Sequence, residues 1–282
     1  MERVWTVSDL LGWVASYFKD KHIEEPRLEA EVLLAYCLHM SRIGLYTNFD
    51  RPVTAEERDG LKLLLKRRVA GEPMAYLTGQ KEFMSLMFTV SPVVLIPRPE
   101  TEVLVERAIQ IIRDHGFTQA ADVGTGSGAI ALSLVHYVPA LRVWGVDISP
   151  EAIAMAQLNA MQLGLTDQVQ WEINDLLGDL SGKFELIAAN LPYVPTTMQG
   201  QLPASVSDYE PGLALWAGED GFDVYRRFIP QAMDRLVSGG CLLLEIDPGQ
   251  KALAAELLAA YTGVSFINDL TGRSRVVEAW KE

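Results

Sequence analysis

The segment DVGTGSGAI, residues 122–130, constrains this chain more than any other. Residues 120–123 form a short apolar run that reads as a buried strand. After Gly128 an apolar helical pattern runs through Leu134. Between them stand three alternating glycines, Gly124, Gly126 and Gly128, which let a turn close tightly and let a ligand approach the backbone. The strand–turn–helix alternation then continues. Residues 142–146 read as a strand, and Ser149 caps a helix that ends at Gly164. Residues 169–173 and 184–189 are further strands. Residues 222–237 have helical period, and Gly239 and Gly240 precede an apolar run at residues 241–246. This order predicts an α/β fold with a parallel, doubly wound sheet, whose ligands bind at the carboxyl ends of the strands.

The strand after the glycine turn ends at Asp147, about 20 residues on, where a carboxylate can accept hydrogen bonds from ribose hydroxyls. A nucleotide-type cofactor follows, but not its identity. Gly124, Gly126 and Ala129 also satisfy a dinucleotide fingerprint. The motif NLPY, residues 190–193, closes the strand at residues 184–189 and bears on the choice. It resembles the (Asn/Asp)-Pro-Pro-(Tyr/Phe) motif of amino-methyltransferases. A planar amide or arylamine nitrogen has a delocalised lone pair and attacks poorly. The Asn190 side-chain oxygen and a neighbouring backbone carbonyl can each accept one N–H, which orients that nitrogen toward a methyl donor. Pro192 removes a competing backbone donor, and Tyr193 can pack on a flat substrate. Positioning and electrostatics supply the effect, with no general base assigned.

The N-terminal third has a different texture. Leu10, Leu11, Val14, Tyr17 and Phe18 recur at helical spacing behind a cap at Thr6. A second helix opens at Pro26, with Leu33, Leu34, Cys37 and Leu38 as its stripe. A third starts at the capping box of Thr54 and Glu57, carries Leu61, Leu64, Leu65 and Val69, and can end at Gly71. Residues 1–75 are thus expected to form a small helical bundle. Residues 76–99, punctuated by Gly79, Pro92, Pro97 and Pro99, read as a linker with a β-hairpin around the strand-compatible stretch 83–90. Residues 100–282 form the cofactor domain, opening with a helix that runs to about residue 115.

Four further segments, GEPMAYLTG (71–79), LIPRPETE (95–102), YEPGLAL (209–215) and GEDG (218–221), lie in order around the glycine loop and Asn190. With them the chain resembles, over nearly its whole length, the release-factor glutamine N5-methyltransferases (the HemK/PrmC family). The resemblance implies a Rossmann-like class I methyltransferase sheet and S-adenosyl-L-methionine as cofactor, with S-adenosyl-L-homocysteine as product. It implies that the substrate is the glutamine of the Gly-Gly-Gln motif in peptide chain release factors. By motif, Gly124, Thr125, Gly126, Ser127 and Gly128 line the cofactor path and Asp147 holds the ribose. Asp175 and Leu176 flank adenine. Asn190, Leu191, Pro192 and Tyr193 bind the glutamine amide, with Asn190 also beside the cofactor; Asn190, Pro192 and Tyr193 are the catalytic set. Thr101 and Glu102 lie where the family's linker reaches the cofactor. Leu191 stands in place of the family's usual proline and keeps the main-chain carbonyl. Leu176 replaces an aromatic residue found in some members.

The bulk numbers fit this reading. A formal net charge of −13 disfavours a nucleic-acid binder, because phosphate neutralisation needs Lys and Arg. That weighs against adenine N6 methylation; methylation of a ribosomal-protein glutamine is the other alternative. The two cysteines, Cys37 and Cys241, sit in apolar surroundings without zinc-site spacing, so no metal is expected. His22, His39, His115 and His136 read as packed or solvated, and nothing supplies a hydride-transfer site for a dehydrogenase. Intact motifs speak against a non-catalytic scaffold. With no signal-peptide pattern and no apolar run of ~18 residues, a cytoplasmic protein, off the membrane and monomeric, is expected.

Overall fold

The structure, a computed structural model, describes residues 4–282. Residues 1–3, where the leader reading and the helical-bundle expectation begin, lie outside the described residues. The chain divides into two compact units, one running to Gly79 together with Ala204–Tyr209, the other comprising Gln80–Pro203 and Glu210–Glu282.

The first unit is helical. α1 (Val7–Asp20) starts at Thr6, whose side chain forms a capping box with Asp9. α2 (Pro26–Cys37) has its proline in the first turn. A short α3 (Arg42–Thr47), which hydrophobic periodicity did not reveal, follows. α4 (Ala55–Val69) carries the capping box of Thr54 and Glu57, and α5 (Met74–Thr78) ends at Gly79. Val7, Leu11, Val14, Phe18, Leu33, Leu34 and Leu45 are fully buried in one core. Within it Glu31 accepts from Arg27 at 2.9 Å, from Arg42 at 2.7 Å and from the Tyr46 hydroxyl. Tyr46 first, then the two guanidiniums, hold the Glu31 carboxyl down to about 2.

The second unit opens with β1 (Gln80–Phe83) and β2 (Leu86–Thr89), an antiparallel hairpin in which Phe83 pairs with Leu86. The stretch 83–90, strand-compatible in sequence, is therefore broken at Met84 and Ser85, both left-handed (φ 49° and 58°). No Gly or Asn announces this turn. Leu77 is buried in the core of the first unit and Phe83 and Phe88 in that of the second, so the compact division falls after Gly79. α6 (Glu102–His115) follows a 3-10 turn at Pro99–Thr101. Then come β3 (Gln119–Val123), α7 (Ala129–Tyr137), β4 (Arg142–Asp147), α8 (Pro150–Leu163), β5 (Val169–Ile173) and β6 (Phe184–Ala189). α9 (Ala204–Ser207) groups with the helical unit, where the Tyr209 hydroxyl donates to the Ala70 carbonyl at 3.1 Å. α10 (Asp223–Arg235), β7 (Leu236–Glu245), α11 (Lys251–Leu257), β8 (Thr262–Asn268) and β9 (Ser274–Trp280) complete the unit.

The sheet order is β5-β4-β3-β6-β7-β9-β8. Its first five strands are parallel, but β9 runs antiparallel to β7, and β8 antiparallel to β9. The parallel order expected from the alternation holds for those five strands, and the last two are added antiparallel beside them. The final hairpin lies beyond the stretch whose alternation suggested the sheet, and its turn is built by Asp269 Oδ1, which accepts from the Thr271 and Arg273 amides. The helix expected over residues 222–237 stops at Arg235, and Leu236 already pairs with Phe184. Gly239 and Gly240 sit inside β7 where its register slips, and a Cβ on Gly240 would stand 3.0 Å from the Val237 carbonyl. One face of the sheet is covered by α6, α7 and α8, the other by α10 and α11. From β3 the chain moves outward to β4 and β5, then crosses back to β6, so the order reverses between β3 and β6. A crevice at their carboxyl ends is the fold's natural ligand site.

Candidate functional site

The glycine loop leaves β3 in a shape only glycine holds comfortably. Gly124, Gly126 and Gly128 have φ of 75°, 55° and 81°. The Gly124 and Thr125 amides donate to the Val146 carbonyl at 2.8 and 2.9 Å, fastening the loop to β4. A Cβ on Gly124 would stand 2.9 Å from Leu191 Cδ2, so the loop and the NLPY segment touch directly. Gly128 caps α7 with no side chain of its own, packed close to Leu132, Trp171 and Ala156. Asp122 supplies what that cap lacks. Fully buried, it accepts from the Ala131 amide at 3.0 Å and from the Thr125 hydroxyl at 2.6 Å, both on Oδ2, while Oδ1 has no partner. Burial pushes its carboxyl up to about 7, against the pull of those two bonds and with a push from Asp147. Asp122 stands inside the glycine motif but was not an expected site residue; its signal in the sequence is an acid near the end of an apolar strand.

Asp147 ends β4. Its Oδ2 accepts from the Gly126 amide at 2.9 Å and its Oδ1 from the Ser149 amide at 3.0 Å. Each oxygen keeps a lone pair for a further donor. Burial raises its pKa, while the Ser149, Gly126 and Ile148 amides oppose the rise. Asp175 is exposed and paired with Arg227; Leu176 is buried and left-handed at φ 58°. At the end of β6, Asn190 Nδ2 donates to Thr101 Oγ1 at 3.1 Å.

These groups converge on a cavity of about 250 Å³ at the β3/β6 reversal. It is lined by Gly124, Thr125, Gly126, Ser127, Asp147, Asp175, Leu176, Asn190, Leu191 and Pro192. Gly128 and Tyr193 are not on its wall. Gly128 serves the helix start, and Tyr193 packs against the core layer of α10 and donates its hydroxyl to Glu245 at 3.3 Å. Burial, then the Glu245 charge, raises the Tyr193 pKa. Thr101 lines the cavity, whereas Glu102 turns to the hairpin and accepts from the Met84 amide at 2.7 Å. Arg98 belongs to the same LIPRPETE segment but had no expected contact. Arg98 lines the rim and pairs with buried Glu210, which also accepts from the Ile96 amide at 3.2 Å. Ile148, Leu213 and Val224 add apolar wall. The donor set fits an adenosine-type cofactor. A carboxylate with spare lone pairs stands beside a backbone cradle that a Cβ would fill, next to apolar surface for a base. Among the described residues no group of three His, Cys, Asp or Glu is placed to hold a metal ion, and no helix is long and apolar enough to cross a membrane.

A family model described as a methyltransferase domain matches residues 120–206, and one described as the PrmC N-terminal domain matches residues 9–79. The fold resembles that of the ribosomal protein L11 methylase of Lactobacillus delbrueckii subsp. bulgaricus, with TM-score 0.51 and 23% identity over 68% of this chain and 84% of that one. It also resembles a T. thermophilus 16S rRNA methyltransferase solved with AdoMet and guanosine, with TM-score 0.52 and 21% identity over 72% of this chain and 50% of that one. At this identity the likeness concerns the fold alone. Fold, site and domain match define a class I, S-adenosylmethionine-dependent methyltransferase. Three relatives, each a release factor glutamine methyltransferase, span nearly the whole chain. That of Moorella thermoacetica is 42% identical over 98% of this chain and 99% of its own length. Those of Rhodopirellula baltica and Geobacter sulfurreducens are 38% and 40% identical, over 98% and 96% of this chain and 97% and 93% of their own lengths. The chain belongs to the release factor glutamine methyltransferase family.

Proposed function

We propose that this chain transfers the methyl group of S-adenosyl-L-methionine to the side-chain nitrogen N5 of the glutamine in the Gly-Gly-Gln motif of peptide chain release factors, leaving S-adenosyl-L-homocysteine. The observation that carries this reading is Asn190 on the cavity wall, beside the glycine loop, in a chain matched end to end by release factor glutamine methyltransferases. The cofactor supplies a methyl group activated by its sulfonium. The Gly124–Gly128 backbone would hold its amino-acid and adenosine path, Asp147 its ribose hydroxyls, and Asp175 with Leu176 the edge and face of adenine. Leu176 gives aliphatic contact where an aromatic ring would stack.

The protein's own work is to present the amide. Asn190 Oδ1 and the Leu191 carbonyl accept the two N–H bonds of the glutamine side chain, aiming its nitrogen lone pair along the cavity. Accepting both hydrogens favours pyramidal nitrogen as it attacks. Pro192 offers no competing N–H. Tyr193 supports the segment from behind through Glu245. Buried Leu191 shields the reacting nitrogen from water on one side. In this reading residues 1–75 grip the protein substrate, residues 76–99 form a linker with the hairpin, and residues 100–282 form the catalytic domain. The enzyme works as a cytoplasmic monomer without binding nucleic acid.

The test incubates the protein with isotopically labelled S-adenosylmethionine and a purified release factor, with the site assigned by mass spectrometry. Label on the Gly-Gly-Gln glutamine is expected. Asn190→Ala should cut turnover by about 10²–10³-fold, as loss of one preorganised polar contact does, and leave S-adenosylhomocysteine binding nearly intact. No label on that glutamine would sink the reading.

A further inference from the structure

The Asn190 carboxamide has an acceptor end and a donor end of nearly equal shape, and only its neighbours decide which one faces the cavity. Its Nδ2 donates to Thr101 Oγ1 at 3.1 Å. Thr101 is buried at the close of the 3-10 turn Pro99–Thr101, beside the carboxylate of Glu245, the last residue of β7. Glu245 is itself buried. Its Oε1 takes the Tyr193 hydroxyl at 3.3 Å, and Oε2 has no hydrogen-bond partner. The charge of an ionised carboxylate attracts an N–H and repels a carboxamide oxygen. Asn190 meets Thr101, on the Glu245 side, with its Nδ2 end. A flipped carboxamide would turn its oxygen toward that charge.

We propose that Thr101, backed by Glu245, is a positioning residue for methyl transfer: it locks the Asn190 carboxamide with Nδ2 turned away and Oδ1 presented to the cavity. This rests on Asn190 being the acceptor for the substrate amide. The lock also gives selectivity. An acceptor held in place suits the two N–H bonds of glutamine and repels the carboxylate of glutamate, whereas a free carboxamide would turn to suit either.

The experiment uses the full chain carrying Thr101→Val, Thr101→Ala or Thr101→Ser. It measures release-factor methylation, S-adenosylhomocysteine binding by calorimetry, and hydrogen exchange of the Asn190 side-chain amide by NMR in the S-adenosylhomocysteine complex. Valine and alanine should each lower kcat by about tenfold, the worth of one hydrogen bond, and speed Asn190 amide exchange, with cofactor-product affinity preserved. Serine should restore both. Wild-type turnover with unchanged Asn190 exchange in the valine and alanine proteins, or a serine protein as impaired as they are, would overturn the proposal. If the unmodified protein leaves the release-factor glutamine unlabelled, it is the proposed function that fails. The Asn190 exchange rates then still decide the role of Thr101.

Discussion

Gly124→Ala is expected to weaken cofactor binding severely, for two separable reasons. At φ 75° an alanine carries left-handed strain of about 1–2 kcal/mol. Its Cβ would also stand 2.9 Å from Leu191 Cδ2 and 3.4 Å from the Asn190 carbonyl oxygen. Leu191 can yield only into the cavity it lines, where the cofactor would sit, so in the complex overpacking adds about 1–3 kcal/mol. The free loop can escape both by leaving its shape, at the expense of the Gly126–Asp147 bond; the cofactor then has to restore it. Strain of about 2 kcal/mol or more appears in Kd as a loss of roughly 30-fold or greater. Calorimetry with S-adenosylhomocysteine on Gly124→Ala, Leu191→Ala and the double variant separates the two parts. Leu191→Ala removes Cδ2, so the double variant should recover the steric share, with a coupling above about 0.5 kcal/mol. Additive losses, or an unchanged affinity for Gly124→Ala, would refute the claim that close approach of loop and Leu191 demands a glycine.

Burial raises Asp122 to about 7 from an ordinary value of 3.8, so between those pH values the folded state keeps a proton that the unfolded chain has released. Its stabilising contribution is present at the acid end and lost as pH rises through about 7; thermal melts of the apo protein should fall over that window and Asp122→Asn should flatten the slope. Glu31, held at about 2, acts oppositely and only below about 4.5, so it leaves the range from pH 5 to 8 clear. Asp147→Ala removes the acceptor for the Gly126 and Ser149 amides along with the proposed ribose contact, and should weaken S-adenosylhomocysteine by about a hundredfold in calorimetry. Arg98→Ala leaves buried Glu210 unpaired and should cost about 3–5 kcal/mol in urea unfolding, most of it recovered by adding Glu210→Gln.

What could be read in the sequence was what the backbone dictates over short spans. Capping boxes at Thr6 and Thr54, the proline opening α2, the Ser149 cap and the glycine turn after β3 each depend on residues within a few positions, and each formed as their chemistry requires. The hairpin turn failed the same test, because Met84 and Ser85 adopt left-handed φ without the residue types that favour it. What holds them is remote: Glu102 accepts from the Met84 amide, and Tyr137 donates to its carbonyl at 2.8 Å. The β8–β9 hairpin escaped notice because its strands pair against β7 and each other, a choice settled by packing rather than local pattern.

The site divides along the same line. Gly124, Asp147 and Asn190 were legible because each follows the end of a strand or terminates one, where side-chain identity is tied to local geometry. Thr101 and Arg98 were visible only as parts of a resembling segment. Their partners, Asn190 and Glu210, lie 89 and 112 positions away, and no spacing rule connects them. Glu245 looked like the polar end of an apolar strand. Yet those remote pairs give the legible residues their direction, since Asn190 carries two faces and the motif alone does not choose between them. A motif can thus fix which groups line a site while the orientation of those groups is set elsewhere in the chain. Substitutions at Thr101 should therefore reach the chemistry without altering any residue of NLPY.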